Sequence, residues 1–278
     1  MRFIDSQLKT FKDIFEDAII QRGSVGKTSL IRSSVLINLI HDAVKNELQE
    51  KGVNPEMIYP RIHETKPEIK VTGFLKQKDQ DITVLPRNIE PHPEQISWGP
   101  LKYENIIDIY GRKYVENMLI INVRSQMSSI AKNADTLFER TFAEALNLHL
   151  LYPNVVLGEV YLIPAYEYDD ELVKLNKVGF KHNPINIEKY ISFFTAMNSR
   201  DINIEEDSDD YKYERVALLI VDFSKEIPKL YTTTEELKAD GLVSDNFELE
   251  YENLNFESFA EDILEVYASR YDINNIVF

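Results

Sequence analysis

The chain has 278 residues, of which 44% are hydrophobic and 28% charged. That is a globular profile, and it excludes a disordered or fibrous chain. Cysteine is absent, which excludes disulfides, thiolate-bound zinc and thiol catalysis and fits a reducing compartment. The net charge of −16 argues by itself against a nucleic-acid partner, but it is unevenly spread. Residues 1–150 carry 20 Lys+Arg and 20 Asp+Glu, and residues 151–278 carry 11 and 27. The first half is therefore free to meet a polyanion. The acidic excess, in Glu205–Asp210, Glu235–Asp240 and the last thirty residues, reads as a solvated surface facing away from one. No apolar run nears the roughly 18–20 residues of a membrane helix. The N-terminal MRFIDSQLKTFKDIF lacks the apolar core and cleavage site of a signal peptide, so a soluble cytoplasmic protein is expected.

In chain order, residues 1–20 read as a helix, 22–28 (RGSVGKT) as a polar turn and 29–50 as a long helix capped by Thr28 or Ser29. The stripe Leu36, Ile40, Ala43 has the helical period, and Glu47 continues it where an apolar residue is expected. Residues 68–86 read as two short strands around a turn at 76–80, and 87–103 as loop. Residues 117–124 (NMLIINVR) are an apolar run suited to a central strand. A second long helix spans 127–151, with Ile130, Ala134, Leu137, Phe138, Thr141, Ala145 and Leu148 as its inner face and Pro153 beyond its end. Strands at 155–164 and 215–223 and helices at 185–198 and 255–269 complete the order. The alternation predicts an α/β fold, a mixed central sheet flanked by helices. A single domain over 1–278 is expected, with a core of about 30–165 and an acidic C-terminal portion of about 166–278.

Several familiar motifs fail. GSVGKTS at 23–29 resembles a phosphate loop, but position 21 is Gln where the motif needs Gly, and the preceding residues look helical rather than strand-like. Arg22, Lys27 and Arg32 remain a basic cluster on a helix start, able to hold a phosphate or serving as surface cations. The five histidines form no HExxH or close pair, and no GxSxG elbow is present.

One constellation remains. Asp79-Gln80-Asp81 opens a strand, and about forty residues later IINVRSQ (Ile120–Gln126) breaks from apolar to polar, as a strand does at an open sheet edge. A long helix beginning SSIAKN and a second buried strand, with the lone acid Glu159 inside it, follow. This order resembles the PD-(D/E)xK nuclease superfamily, most closely the type II restriction endonucleases, over about residues 30–165. There, an acid on a helix precedes a strand beginning with Asp, the next strand carries acid-x-Lys, and a helix packs beside it. The resemblance implies a restriction-endonuclease-like fold and Mg²⁺-dependent hydrolysis of phosphodiester bonds in double-stranded DNA at a specific sequence. Adjacent strand ends can share a divalent ion between carboxylates near the scissile phosphate.

On that resemblance, Asp81 is the principal metal ligand, Asn122 stands where the second acid belongs, and Arg124 stands where the Lys belongs. Asn offers only a neutral carbonyl. Arg holds its proton too tightly to act as a base, yet it can stabilise phosphate charge. Glu47 is the expected helix acid and a second metal ligand. With Asp79 it is a candidate for the missing carboxylate, as Lys76 or Lys78 is for the missing Lys. Gln126 is expected to orient water or contact DNA, and Arg22, Lys27 and Lys132 to contact phosphates. Structural alternatives stand beside these roles: Asp81 as a turn residue, Asn122 and Arg124 as a hydrogen-bond network, Glu47 as a helix-end acid, and Lys132 with Asp135 as an i,i+3 pair. Base readout is open between 87–103 (Arg87, Asn88, Trp98) and 176–201 (Lys181, His182, Asn183, Asn198, Arg200). Cleavage of a palindrome would imply a homodimer, and a restriction enzyme a companion DNA methyltransferase. The departures at 122 and 124 keep open a catalytically degenerate DNA- or protein-binding module on the same fold. The acidic second half raises a third reading, a DNA mimic.

Overall fold

The computed structural model describes residues 2–203 and 209–278, so Glu205–Ser208 of the acidic run lie outside the described residues. The first two helices, α1 (Phe3–Arg32) and α2 (Val35–Glu50), pack in close contact. They are followed by short strands β1 (Ile58–Tyr59), β2 (Ile69–Thr72), β3 (Gln77–Gln80), β4 (Ile82–Val84), β5 (Glu94–Gln95) and β6 (Ile107–Asp108). Next come α3 (Arg112–Glu116), β7 (Leu119–Ser125), α4 (Ile130–His149), β8 (Val156–Pro164), α5 (Asp170–Lys174) and α6 (Ile187–Met197). The chain closes with β9 (Arg215–Asp222), β10 (Lys229–Leu230), α7 (Thr234–Ala239) and α8 (Phe256–Arg270).

Six strands make one mixed sheet in the order β1-β4-β7-β8-β9-β10. β7, β8 and β9 run parallel, and the β1, β4 and β10 pairings are antiparallel. β8 is buried along its whole length, as a strand covered on both faces must be. One face packs against α1, α2 and α8 through residues such as Phe11, Phe15, Ile40, Leu48, Phe259 and Ile263. The other face packs against α4 and α6 through Ile130, Ala145, Tyr190 and Phe194. The mixed sheet flanked by helices is therefore present.

Three local expectations need correction. The 22–28 segment is not a turn: α1 continues through it, broken only at Gly23 with φ +52° and ψ −132°. A Cβ there would meet Asn176 Oδ1 at 2.6 Å and the Val173 carbonyl at 2.8 Å, so the glycine lets α1 cross α5 closely. The 29–50 helix is broken at Ser33–Ser34, and α2 begins at Val35 with Ser34 rather than Thr28 or Ser29 before it. Residues 77–80 are strand, paired with β2 in the register Lys70↔Asp79 and Val71↔Lys78. The turn lies at residues 73–76, where Gly73 allows the hairpin to touch Asn147 of α4, whose Nδ2 would lie 2.1 Å from an added Cβ.

No helix among the described residues is long and apolar enough to cross a membrane. The acidic segments at α7 and α8 lie on different sides of the sheet. Leu237 of α7 belongs to the core on the α4 side, whereas α8 packs on the opposite side. The single acidic face that a DNA mimic requires is not found among the described residues.

Candidate active site

Asp81 is the one residue between β3 and β4, where the chain leaves the β2–β3 hairpin and enters the central sheet. Its Oδ2 accepts the Val123 N–H at 2.9 Å, so the carboxylate extends the ladder where β4 has not yet begun. The β4–β7 register, Ile82↔Ile121, carried on by one residue, sets Asp81 beside Asn122. The parallel register sets Asn122 beside Glu159 of β8. Paired residues leave a sheet on the same side. Asp81, Asn122 and Glu159 thus form a row across three strands, and Arg124 follows two residues along on the same face.

α4 closes this face. Arg124 Nη1 donates to Thr141 Oγ1 at 2.8 Å, and Nη2 is hydrogen-bonded to Glu144. The docked hairpin brings in Lys78. Its Nζ donates to Glu144 Oε2 at 2.7 Å and to Asn122 Oδ1 at 3.3 Å. The tip is held to α4 by the Leu75 N–H on Asn147 Oδ1 at 2.7 Å and the Phe74 N–H on the Asn147 carbonyl at 2.6 Å. Below the row, the Tyr213 hydroxyl donates to the Thr141 carbonyl at 2.9 Å.

Burial sets the charges. It tends to raise the Glu144 carboxyl, but Arg124 and Lys78 outweigh it and hold that carboxyl below its ordinary value. Burial alone would weaken the Arg124 cation, yet the Glu159 and Glu144 carboxylates drive its pKa up, so its charge is permanent. Glu159 is fully enclosed, and burial pushes its carboxyl up to about 7 against the pull of Arg124. Neither Glu159 oxygen has a hydrogen-bond partner, and Arg124 Nε lies 3.4 Å from Oε1. A cleft of about 240 Å³ opens onto Arg124 and Ser125, walled by Leu137 and Arg140 of α4 and by the α1–α2 elbow at Ser33 and Leu36.

Other expected site residues lie elsewhere. Glu47 is half-buried beside Arg2, Glu50, Lys51 and Glu257, on the α8 side of α2. The α2 side chain within electrostatic reach of Asp81 is His41, whose ring burial keeps neutral-leaning against the pull of Asp81. Asp79 faces Lys70 at 3.9 Å on the outer side of the hairpin. Gln126 is committed to structure: its Nε2 donates to the Ile130 carbonyl at 3.1 Å, and its Oε1 accepts from Tyr161 at 3.2 Å and Tyr190 at 2.9 Å. Its second Nε2 hydrogen faces the Ser129 carbonyl at 3.5 Å, so both donors and both acceptor positions of the amide are engaged within the protein.

Among the expected phosphate contacts, Arg22 and Lys132 are exposed. Lys27 is buried and pairs with Asp170 at 2.7 Å, so it anchors α1 to α5 instead. Asp135 pairs with Lys189 at 2.7 Å rather than with Lys132. Of the readout candidates, Arg87 and Asn88 tie the chain to Asn274 and Asn275. Asn198 and Arg200 are buried, Arg200 in an ion cluster around Glu214. Trp98 packs against Phe74 of the hairpin tip with its ring tilted by 50° and centroids 4.9 Å apart, and is half exposed. Lys181, His182 and Asn183 line a second cleft of about 620 Å³ between α4 and α6.

Sequence reasoning missed the placement of Glu144. Its signal was its position between Thr141 and Ala145 on the inner stripe of α4, where an acid needs a cationic partner.

The described residues hold no group of three or more His, Asp or Glu side chains that could cage a metal. Mg²⁺ needs no such cage, because it takes one or two carboxylates and completes its shell with water and substrate phosphate. The donor set fits that mode: Asp81 spends one oxygen on Val123, and Glu159 is an orphaned carboxylate in the same row. No protein-family model matches this chain, and neither a curated protein nor a solved structure does.

Proposed function

We propose that this chain binds double-stranded DNA and hydrolyses its phosphodiester bonds with Mg²⁺, as a type II restriction-endonuclease-like enzyme. The observation that carries this reading is the in-register placement of Asp81, Asn122 and Arg124 at one sheet end, with Lys78 joining Asn122. The element order supports it: a helix, a strand opened by Asp81, a strand bearing Asn122 and Arg124, a covering helix and a parallel strand.

Asp81 would hold the ion with the Asn122 amide oxygen. When bound, Mg²⁺ would polarise the phosphoryl oxygens and acidify a coordinated water. Arg124 lines the cleft, and its fixed charge suits it to charge developing on a phosphate, not to proton abstraction. Lys78 supplies a second cation. Glu144 aims both, because it receives hydrogen bonds from each. Recognition of a palindrome by a homodimer, and a companion methyltransferase protecting host DNA, belong to the same reading.

Incubation of unmethylated plasmid and phage DNA with Mg²⁺ is expected to give discrete fragments, and EDTA is expected to abolish them. Intact DNA across many substrates would favour the second reading, a non-catalytic binding module. That reading draws on one observation, the engagement of both Lys78 and Arg124 by Glu144.

A further inference from the structure

The strand position that calls for a second acid holds Asn122, and both carboxylates expected to replace it are turned away. Glu47 sits among Arg2, Lys51 and Glu257. Asp79 faces Lys70 outside the hairpin. Glu144 is surrounded by cations: its Oε2 is engaged by both Lys78 and Arg124, and its Oε1 lies 3.5 Å from Arg140 Nε and 4.0 Å from Lys76 Nζ.

Glu159 differs from all three. It stands directly opposite Asn122 on the neighbouring parallel strand and leaves the sheet on the same face. It has no exposed surface, and no donor reaches either oxygen. Among the described residues its one ion-pair contact is Arg124, whose Nε lies 3.4 Å from Oε1 without a hydrogen bond while its Nη groups bond Thr141 and Glu144. Asp81 is within electrostatic reach of it. A buried carboxylate is costly when unpaired, and buried charges are paired or coordinate metals. Both its oxygens are without a hydrogen-bond donor, in the same cross-strand row as the Asp81 carboxylate.

We propose that Glu159 is the second carboxylate of the metal site, supplied by β8 in place of the acid that β7 lacks, so that Asp81, Asn122 and Glu159 bind one hard divalent cation. This rests on reading the Asp81 row as the active site. The acid has moved across one ladder step and kept its face. Asn122 then offers the lone pair that its amide oxygen keeps beside the 3.3 Å hydrogen bond from Lys78, between two charged oxygens, and Arg124 balances the remaining charge.

The test is Mn²⁺ binding to the full chain without DNA, followed by electron paramagnetic resonance, with thermal unfolding as the check on folding. Glu159→Gln is isosteric and is expected to weaken Mn²⁺ binding about ten-fold or more, since hard-cation affinity follows ligand charge. The double variant Asn122→Asp/Glu159→Gln, which returns the acid to β7, is expected to regain most of that loss. Glu159→Asp, which keeps the charge but withdraws it by one methylene, is also expected to bind more weakly. Wild-type affinity in Glu159→Gln or in Glu159→Asp overturns the proposal, as does a wild-type chain that binds no Mn²⁺. Glu159-dependent Mn²⁺ binding without DNA cleavage would retain this site and remove the nuclease reading. Cleavage that survives Glu159→Gln unchanged would do the reverse.

Discussion

Glu159 and Gly23 show what a single position can contribute. Glu159 has its carboxyl raised to about 7 by burial, from an ordinary value of 4.5. A raised carboxyl holds its proton in the folded state after the unfolded chain has released it. Stability is then lost as pH climbs from about 4.5 to 7 and stays low above that. In metal-free buffer at pH 8, Glu159→Gln should therefore be more stable than wild type, by roughly 3 kcal/mol. The gain should vanish below pH 4.5, and urea titrations at the two pH values would show it; equal stability at pH 8 would mean that the carboxylate is compensated. Gly23 carries the opposite kind of constraint. Alanine there must hold φ +52° and place a Cβ 2.6 Å from Asn176 Oδ1, so Gly23→Ala should destabilise by about 1–3 kcal/mol. A urea midpoint equal to wild type would show that α1 and α5 can separate freely.

At the scale of elements, the apolar runs were the legible part. NMLIINVR, VVLGEVYLIP and RVALLIVDF each became a central strand, because a strand buried on both faces must be apolar throughout. The inner stripe of α8 is buried at Phe256, Phe259, Ala260, Ile263 and Tyr267, as its helical spacing requires. Short polar strands were not legible. Gln77–Gln80 is hydrophilic and looks like a turn, and it becomes a strand only because Gly73 docks the hairpin on Asn147. The site divided in the same way. Asn122 and Arg124 lie on a strand that could be read and Asp81 immediately before another, whereas Lys78 and Glu144 meet across 66 residues through that docking. Glu47 was misplaced because a helical stripe gives the buried side of α2 but not the point along its axis that faces Asp81. At the other end of the sheet, Glu214 is buried among Arg270 at 2.8 Å, Arg200 at 3.1 Å and His149 at 3.4 Å. Burial opposes its charge, yet His149 and the two guanidinium groups lower its carboxyl to about 2. A depressed carboxyl contributes stability that is present above about pH 4.5 and is lost as pH falls toward 2. Acid titration of wild type against Glu214→Gln should show a loss of stability across that window in wild type that is shallower in the variant. Parallel curves would assign acid unfolding to other groups.

For the whole molecule, charge and architecture agree. The half of the chain with balanced charge supplies Lys78, Asp81, Asn122, Arg124 and Glu144, and the acidic half supplies Glu159 on β8 as well as β9, α7 and α8. The acids of α7 and α8 are divided between opposite sides of the sheet, and several are paired, as Asp240 is with Lys229 and Glu261 with Lys51. On the proposed reading, a polyanion would approach the strand-end cleft lined by Arg124 and Arg140. The measurement that tests the central claim most directly is cleavage of unmethylated plasmid DNA in Mg²⁺ by wild type and Asp81→Ala, both shown to be folded. The account predicts discrete fragments from wild type and uncut DNA from Asp81→Ala. Fragments from the variant at the wild-type rate would contradict the assignment of this site.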